Sequence, residues 1–404
     1  MSTGANYSRI DWADGQMPVL RSIRERFARE QPLAGVVVGA CLHVTSETAV
    51  LVRTLQAGGA DVALCASNPF ATQQDVALAL AGEAEVHAGG PDEWADGVAS
   101  VVARAPRITL DDGADLLGAL HLARPDLLGA MLGGTEETTT GLVRLRALEA
   151  EGGLKVPVIA VNEARAERAF NDRFGAGQSV LDGIVRATNV LLAGQTVVVL
   201  GYGWTGRGVA LRAAGFGASV IVCEVDPLRA LEARMEGFAV MPAVQAASLG
   251  DIFITVTGVP DVLRGEHFYR MKDGALLANA GQFDIEISLP ELRAESSGSS
   301  QILPLVERFT FGDRSLHLVA GGRVVNLAAA EGHPAAVMDV SFALQALAAE
   351  ALVTGTWAPG VHQVPDAIER EVAALKLAAL DVGIDTLTDA QAEYLTLTSP
   401  PRDR

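Results

Sequence analysis

Apolar and polar positions alternate along this chain in blocks that change period. From residue 33 onward, unbroken apolar runs of strand length are followed by stretches with helical spacing. The runs 35–42, 61–66, 107–110, 130–132 and 156–161, with a short one near Val86, read as strands. Residues 46–57, 73–81, 91–103, 114–122 and 139–150 read as the helices between them, and 17–29 as an entry helix. Such alternation predicts an α/β fold, a parallel sheet covered on both faces. The pattern breaks at 164–177 (ARAERAFNDRFGAG), a polar, glycine-punctuated stretch that reads as hinge and site together. A helix over 179–192 then leads to strands at 197–200 and 219–223, and near 252–255, 275–278 and 323–327. Residues 295–301 (ESSGSSQ) read as a surface loop and 330–333 as a second hinge. Pro334 opens a long apolar helix to residue 353, at the position where proline is tolerated. Coming after the second sheet, that helix is placed to return to the first domain. Thr388-Asp389-Ala390-Gln391 is a capping box for a last short helix, and the tail 399–404 is expected to fray. The architecture predicted is two doubly wound parallel-sheet domains joined by hinges.

The residues that close the strands carry the candidate chemistry. The run 197–200 delivers the backbone into Gly201-Tyr202-Gly203-Trp204-Thr205-Gly206, a helix-like stretch follows, and the next strand ends at Glu224. Strand, glycine turn, helix, strand, acid is the order of a dinucleotide-binding unit. Gly201 permits the tight turn, Gly203 lets a pyrophosphate approach, and Gly206 lets the helix pack close, its amides facing the phosphates. A carboxylate at Glu224 accepts ribose hydroxyls and repels a 2′-phosphate, which favours NAD over NADP. The competing reading is a chance glycine turn. In the first half, His43, with Thr45 and Glu47 just beyond, follows one strand. Asp111 and Asp112 follow another, Glu136 and Glu137 a third, and Asn162 a fourth. Ligands of open α/β sheets bind outside the carboxyl ends of strands, so these groups form a candidate site. Asp112 and Glu137 also fit as plain helix N-caps.

At 404 residues, two domains are expected. The formal net charge of -18 argues against nucleic acid as a partner, which demands a basic face. Cys41, Cys65 and Cys223 lie in or beside apolar runs without metal-ligand spacing and read as buried thiols. His87, His121, His267, His317 and His362 stand singly, so no metal site is expected. No signal pattern opens the chain and no apolar run approaches membrane-spanning length, so a cytoplasmic protein without membrane contact is expected.

Nearly the whole chain resembles one family, S-adenosylhomocysteine hydrolase. The likeness rests on CLHVTSETAVL, NPFATQQD, LDDGADL, EETTTG, GYGWTGRG, TVTGV, VVNLAAAEGHPAAVM and LTDAQAEYL, with EETTTG and GHP far more specific than the glycine motif. The resemblance implies a substrate domain (1–163, with 334–366 returning to it), a Rossmann NAD domain (178–331) and a C-terminal segment (367–404) for assembly as a homotetramer or dimer. It also implies tightly bound NAD, regenerated each turn, acting on an adenine nucleoside. The ribose 3′-OH is oxidised, a 4′-proton is removed, the 5′ substituent leaves, water adds and the ketone is reduced. By resemblance Thr45, Glu47 and His333 meet adenine. His43 and Asp112 handle the proton at the leaving group, Glu137 meets the ribose hydroxyls, and Asn162 and Met338 join the substrate side. Thr138, Thr139, Thr140, Asp172, Gly201, Gly203, Trp204, Thr205, Gly206, Glu224, Arg229, Thr257, Gly258 and Asn326 fall at cofactor positions.

Several positions depart from the family pattern. Its catalytic lysine is Glu167 here, the partner aspartate is Asn171, and Asp172 follows where asparagine is usual. The histidine of GHFD is Gln282, the asparagine after the acidic strand end is Arg229, and the hinge cysteine is Ala176. Glutamate cannot donate from a cation, and beside Glu137 it raises the pKa of one or both carboxylates. Three readings stay open: an oxidation–elimination enzyme that dehydrates an adenine nucleoside, as an angustmycin-type antibiotic pathway requires; an ordinary hydrolase that tolerates the swaps; or a non-catalytic binder of NAD or nucleoside.

Overall fold

The apolar runs become strands of two separate sheets in a computed structural model of the chain, which describes residues 4–69 and 72–398. The first sheet holds β1 (Val37–Leu42), β2 (Asp61–Ala66), β3 (Glu85–His87), β4 (Ile108–Asp111), β5 (Gly133–Glu136) and β6 (Pro157–Ala160). The second holds β7 (Thr196–Leu200), β8 (Ser219–Cys223), β9 (Ala239–Val240), β10 (Ile252–Thr255), β11 (Ala275–Asn279), β12 (Gly298–Leu303), β13 (Val306–Phe311) and β14 (Arg314–Val319). The last strand, β15 (Gly360–Gln363), returns to the first sheet and pairs in parallel with β6, Gly360 opposite Pro157. The strand orders are β15-β6-β5-β4-β1-β2-β3 and β12-β13-β14-β11-β10-β7-β8-β9. Every pair is parallel except β12–β13 and β13–β14.

Alternation along each strand decides which layer its side chains join. Val38, Ala40 and Leu42 of β1 enter one core with Leu51, Leu55 and Phe342, whereas Cys41 enters the opposite core with Val98, Val101 and Leu117. In β7, Val197 and Val199 face one side, Val198 and Leu200 the other. All three cysteines are buried and unbridged.

The long helix Ala335–Thr354 belongs to the first core, where twelve of its residues are buried. By length and composition it could cross a membrane, which corrects the expectation that no apolar run approaches that length. Its all-round apolarity matches its burial between the sheet and the helices Pro18–Glu30 and Ser46–Ala57. Asp339, fully buried, accepts the amides of Val19 and Leu20 at 3.2 and 2.8 Å and the ammonium of Lys376 at 2.9 Å, and so joins three helices.

Three sequence expectations change. Residues 295–301, read as a surface loop, run into the edge strand β12 (Gly298–Leu303), exposed throughout, so no apolar alternation marked it. Residues 323–327, read as a strand, give one bridge from Val324 to Asn279 and then the short helix Val325–Ala328. Residues 164–177, read as hinge and site together without a secondary structure, are mostly helical: Glu167–Ala176 is a π-helix running into the helix Gly177–Thr188. The helix Gly4–Gly15 was not expected. The capping box holds, with Thr388 N donating to Gln391 Oε1 at 2.9 Å and Gln391 N to Thr388 Oγ1 at 3.4 Å. The tail 399–404, and Phe70 and Ala71 of NPFATQQD, lie outside the described residues.

Candidate functional site

In the first sheet the strand order reverses at β1, whose neighbours are β2 and β4, and the crevice there is where such sheets bind ligands. His43 leaves β1 with its Nε2 3.2 Å from Asp112 Oδ2 beyond β4, and Ser67 Oγ donates to the same oxygen at 3.2 Å. The His43 carbonyl accepts from Thr48 Oγ1 at 2.5 Å, while its Nδ1 is buried without a partner. Thr45 caps the helix Ser46–Ala57. Glu47, in the first turn, accepts from Ser46 Oγ at 3.1 Å, and burial raises its pKa. The N-cap reading of Asp112 and Glu137 fails. Asp111 takes the amides of Leu116 and Leu117, and Thr138 caps the helix Thr139–Ala150. Asp112 and Glu137 therefore cap neither helix, and their oxygens meet side chains instead.

Around them is a nest of carboxylates. Glu136, fully buried, accepts from Gly113 N and Thr138 N at 2.9 Å and from Thr138 Oγ1 at 2.7 Å, tying the turn after Asp112 to the threonine run. Glu137 accepts from Ser341 Oγ at 2.6 Å and Gln345 Nε2 at 2.9 Å. Burial and the charge of Asp112 push its pKa up to about 7. Asn162 accepts from Thr139 Oγ1 at 2.9 Å. Glu167 and Asn171 face each other within the π-helix, and Asn171 Nδ2 donates to Glu167 Oε1. Such i→i+5 segments occur often at functional sites. Glu167 is 1% exposed, and its Oε2 and the Asn171 Oδ1 are buried with no partner. Burial and the charges of Glu137 and Asp172 hold the Glu167 carboxyl well above the usual range, and burial pushes Asp172 up to about 6.

The hinge closes the cluster. A Cβ on Gly175 would lie 3.0 Å from Val337 Cγ1, 3.2 Å from His333 Cγ and 3.3 Å from Asn171 Oδ1, so the π-helix packs tightly against that histidine here. Burial and the nearby His43 drive the His333 pKa down to about 4, leaving it neutral. Its Nε2 lies 3.3 Å from Asn326 Nδ2, which also donates to Ser179 Oγ at 3.2 Å. Met338 packs against the first core.

The second sheet reverses at β7, between β8 and β10. There Gly201 adopts φ +105°, and a Cβ on Gly206 would collide with the Gly201 carbonyl. Gly203 is the N-cap of the helix Trp204–Gly215, and Trp204 and Thr205 occupy its first turn. Trp204 is 43% exposed. Glu224 accepts the amides of Tyr202, Val225 and Asp226 at 2.7, 2.7 and 3.0 Å. Beyond β10, Glu286 holds the amides of Thr257 and Gly258 and the Thr257 hydroxyl at 2.8–2.9 Å. The left-handed glycine, the close helix approach, the strand-end carboxylate and the partnerless Asn326 Oδ1 fit a dinucleotide. Thr139 and Thr140 lie in the first turn of their own helix, on the first sheet. Arg229 is exposed in the first turn of the helix Pro227–Met235, and Gln282 is exposed on the loop after β11, with no bond drawing it into the carboxylate nest.

Sequence reasoning missed Ser341, Gln345 and Glu286 as organisers of the site, while Glu136 was among the strand-end groups it named. Ser341 and Gln345 are polar positions in a mostly apolar helix, four residues apart and so on one face, and that was their available signal.

The family model for the NAD-binding domain of S-adenosyl-L-homocysteine hydrolase matches residues 172–332, and the model for S-adenosyl-L-homocysteine hydrolase matches residues 3–126. The chain is 53% identical over 396 residues to an adenosylhomocysteinase of Aquifex aeolicus, covering 96% of this chain and 95% of the relative. It is 51% identical to an adenosylhomocysteinase of Gloeobacter violaceus, with 96% and 92% covered. It is also 51% identical to an S-inosyl-L-homocysteine hydrolase of Methanosarcina acetivorans, with 96% of each covered. With a nucleotide crevice in one sheet, a carboxylate-lined crevice in the other and likeness along almost the full length, the chain belongs to the S-adenosyl-L-homocysteine hydrolase family and takes NAD as its cofactor.

Proposed function

We propose that the chain processes a purine nucleoside by oxidation and 4′,5′-elimination, with Glu167 taking the proton that a lysine takes in its family. The observation that carries this reading is Glu167 itself, buried, hydrogen-bonded through one oxygen only and next to Glu137. NAD, when bound, supplies the oxidation of the ribose 3′-OH and its final reversal. Glu137, held by Ser341 and Gln345, accepts from ribose hydroxyls. Glu167, in the same dry cluster and as its carboxylate, receives the 4′-proton, a role suited to a carboxyl that burial and neighbouring charge make more basic than usual. His43 and Asp112, 3.2 Å apart, deliver a proton to the departing 5′ group. Thr45, Glu47 and neutral His333 are placed for the base.

Two outcomes follow the elimination. Hydrolysis of an S-nucleosyl-homocysteine is supported by likeness to hydrolases at 51–53% identity. Net dehydration, in which the 5′-hydroxyl leaves as water and none is added back, is favoured by the exchange of lysine–aspartate for Glu167–Asn171, which reverses the hydrogen-bonding sense at the sugar. An adenine-nucleoside antibiotic pathway of the angustmycin type needs such a step. Product mass after incubation of the NAD-loaded chain with adenine nucleosides, and separately with S-adenosylhomocysteine and S-inosylhomocysteine, separates the outcomes. Release of homocysteine establishes the hydrolase, and loss of one water from a nucleoside establishes the dehydratase. If neither occurs, the catalytic reading fails. Exposed Ile384, Leu387, Tyr394 and Leu395 near the C-terminus support assembly with further copies of the chain.

A further inference from the structure

The glycine turn carries a cation that its surroundings leave unneutralised. Arg229 lies five residues beyond Glu224, exposed in the first turn of the helix Pro227–Met235. Its Nη1 is 3.7 Å from the position that a Cβ would take on Gly203, so the guanidinium reaches back over the turn. The other arginine of the turn, Arg207, is paired with Glu236, which also accepts the Tyr202 hydroxyl at 2.8 Å. Asp226 spends one oxygen on the amides of Leu228 and Arg229 at 2.8 and 3.3 Å. Among the described residues the Arg229 guanidinium makes no ion pair.

Glu224, the residue expected to repel a 2′-phosphate, is turned inward. Both its oxygens are taken by backbone amides, one from Tyr202 and two from Val225 and Asp226. Three amides offset the charge that a phosphate would meet. In dinucleotide-binding βαβ units a carboxylate at this strand end marks NAD, and an arginine close by accommodates the 2′-phosphate of NADP. A guanidinium offers a phosphate two parallel donors and a full charge, neither of which an asparagine side chain can supply.

We propose that Arg229 makes the cofactor crevice tolerant of a 2′-phosphorylated dinucleotide, so that NADP binds where NAD binds. Arg229 takes the added phosphate while Glu224 stays on its amides. NAD remains the tighter ligand, because Glu224 still carries its charge.

Calorimetric titration of the full-length chain, freed of nucleotide, with NAD and NADP separately tests this without reference to turnover. Wild type should bind NADP within about a hundredfold of NAD. Arg229→Asn should weaken NADP by about tenfold or more beyond any loss it causes for NAD, the difference expected for one charge-assisted contact that only the added phosphate makes. Arg229→Lys should keep most of the NADP affinity, and added salt should weaken NADP more than NAD. No NADP binding to wild type at millimolar concentration overturns the proposal, as does an equal loss of both nucleotides in Arg229→Asn. Arg229 is exposed, so the variants should fold, and an unchanged circular dichroism spectrum confirms it.

Discussion

Ser341 donates its hydroxyl at 2.6 Å to a carboxylate 204 residues earlier in the chain, that of Glu137. Gln345, one turn further along the same helix, donates to the other oxygen at 2.9 Å. Both contacts favour the ionised form, against burial that pushes the group up to about 7. Removing either donor must therefore raise the Glu137 pKa further. For Ser341→Ala and Gln345→Ala the acid limb of the pH–rate profile should move up by about one unit, equivalent to ~1.4 kcal/mol. A lower kcat with an unmoved limb would assign the two donors to packing alone.

Glu167→Gln keeps the shape and most of the hydrogen bonding of the buried site and removes the base. Turnover should fall by about a thousandfold or more, within the range set by loss of a general base, while NAD stays bound. Full activity would remove Glu167 from the chemistry. The reversion pair Glu167→Lys with Asn171→Asp should raise release of homocysteine from S-adenosylhomocysteine if those two positions steer the reaction, and Gln282→His is the next change to add if it does not.

The buried carboxylates set how stability depends on pH. Asp111 and Glu137 are pushed up to about 7 and Asp172 to about 6, chiefly by burial, and Glu167 also lies well above its ordinary value. In the unfolded chain such groups lose their protons near pH 4. Between about pH 4.5 and 7 the folded state thus holds protons that the unfolded state has released, and stability falls as pH rises. Without substrate or added nucleotide, the melting temperature should drop from pH 5 to pH 8, and Glu167→Gln should flatten the slope. A melting temperature that climbs over this window contradicts the assignment.

Asp339→Ala should cost roughly 3 kcal/mol of stability, because it leaves two amides of the helix Pro18–Glu30 without their acceptor and the Lys376 ammonium, still bonded to the Ala336 carbonyl, without its counter-charge. A shift in the urea midpoint at unchanged slope would show it. Asp339→Asn should recover part of the loss.

Much of this molecule was legible because its physics is local. Fully buried parallel strands leave apolar runs, the glycine turn leaves its spacing, and strand-end acids stand where apolar runs stop. His43, Asp112 and Glu137 were found on that basis, and the structure places the first two 3.2 Å apart. Ser341 and Gln345 were missed, since their polar spacing gives no partner and their importance comes from Glu137, about two hundred residues earlier in the chain. The strand β12 was missed because both its faces are exposed. β13 and β14 did carry a signal, alternating runs on either side of Gly312-Asp313 with glycine in the left-handed region, but it went unread. The π-helix eluded the pattern because its period is not that of an α-helix, so the stretch read as a hinge although Glu167 and Asn171 in it were singled out for the site.

The return of β15 and the helix Ala335–Thr354 to the first sheet also sets an order of events during synthesis. Every strand of the second sheet lies between residues 196 and 319, so that sheet has all its strands while the first still lacks its edge strand and its central helix. At ribosomal speeds the roughly 190 residues after β6 take on the order of ten seconds or more to emerge, and for that time the core that the first sheet shares with the helices Pro18–Glu30 and Ser46–Ala57 lacks the helix Ala335–Thr354 that completes it. The half of the chain that is made first is the half that is finished last. The nascent protein has to keep an apolar surface from strangers until its own last quarter arrives to claim it.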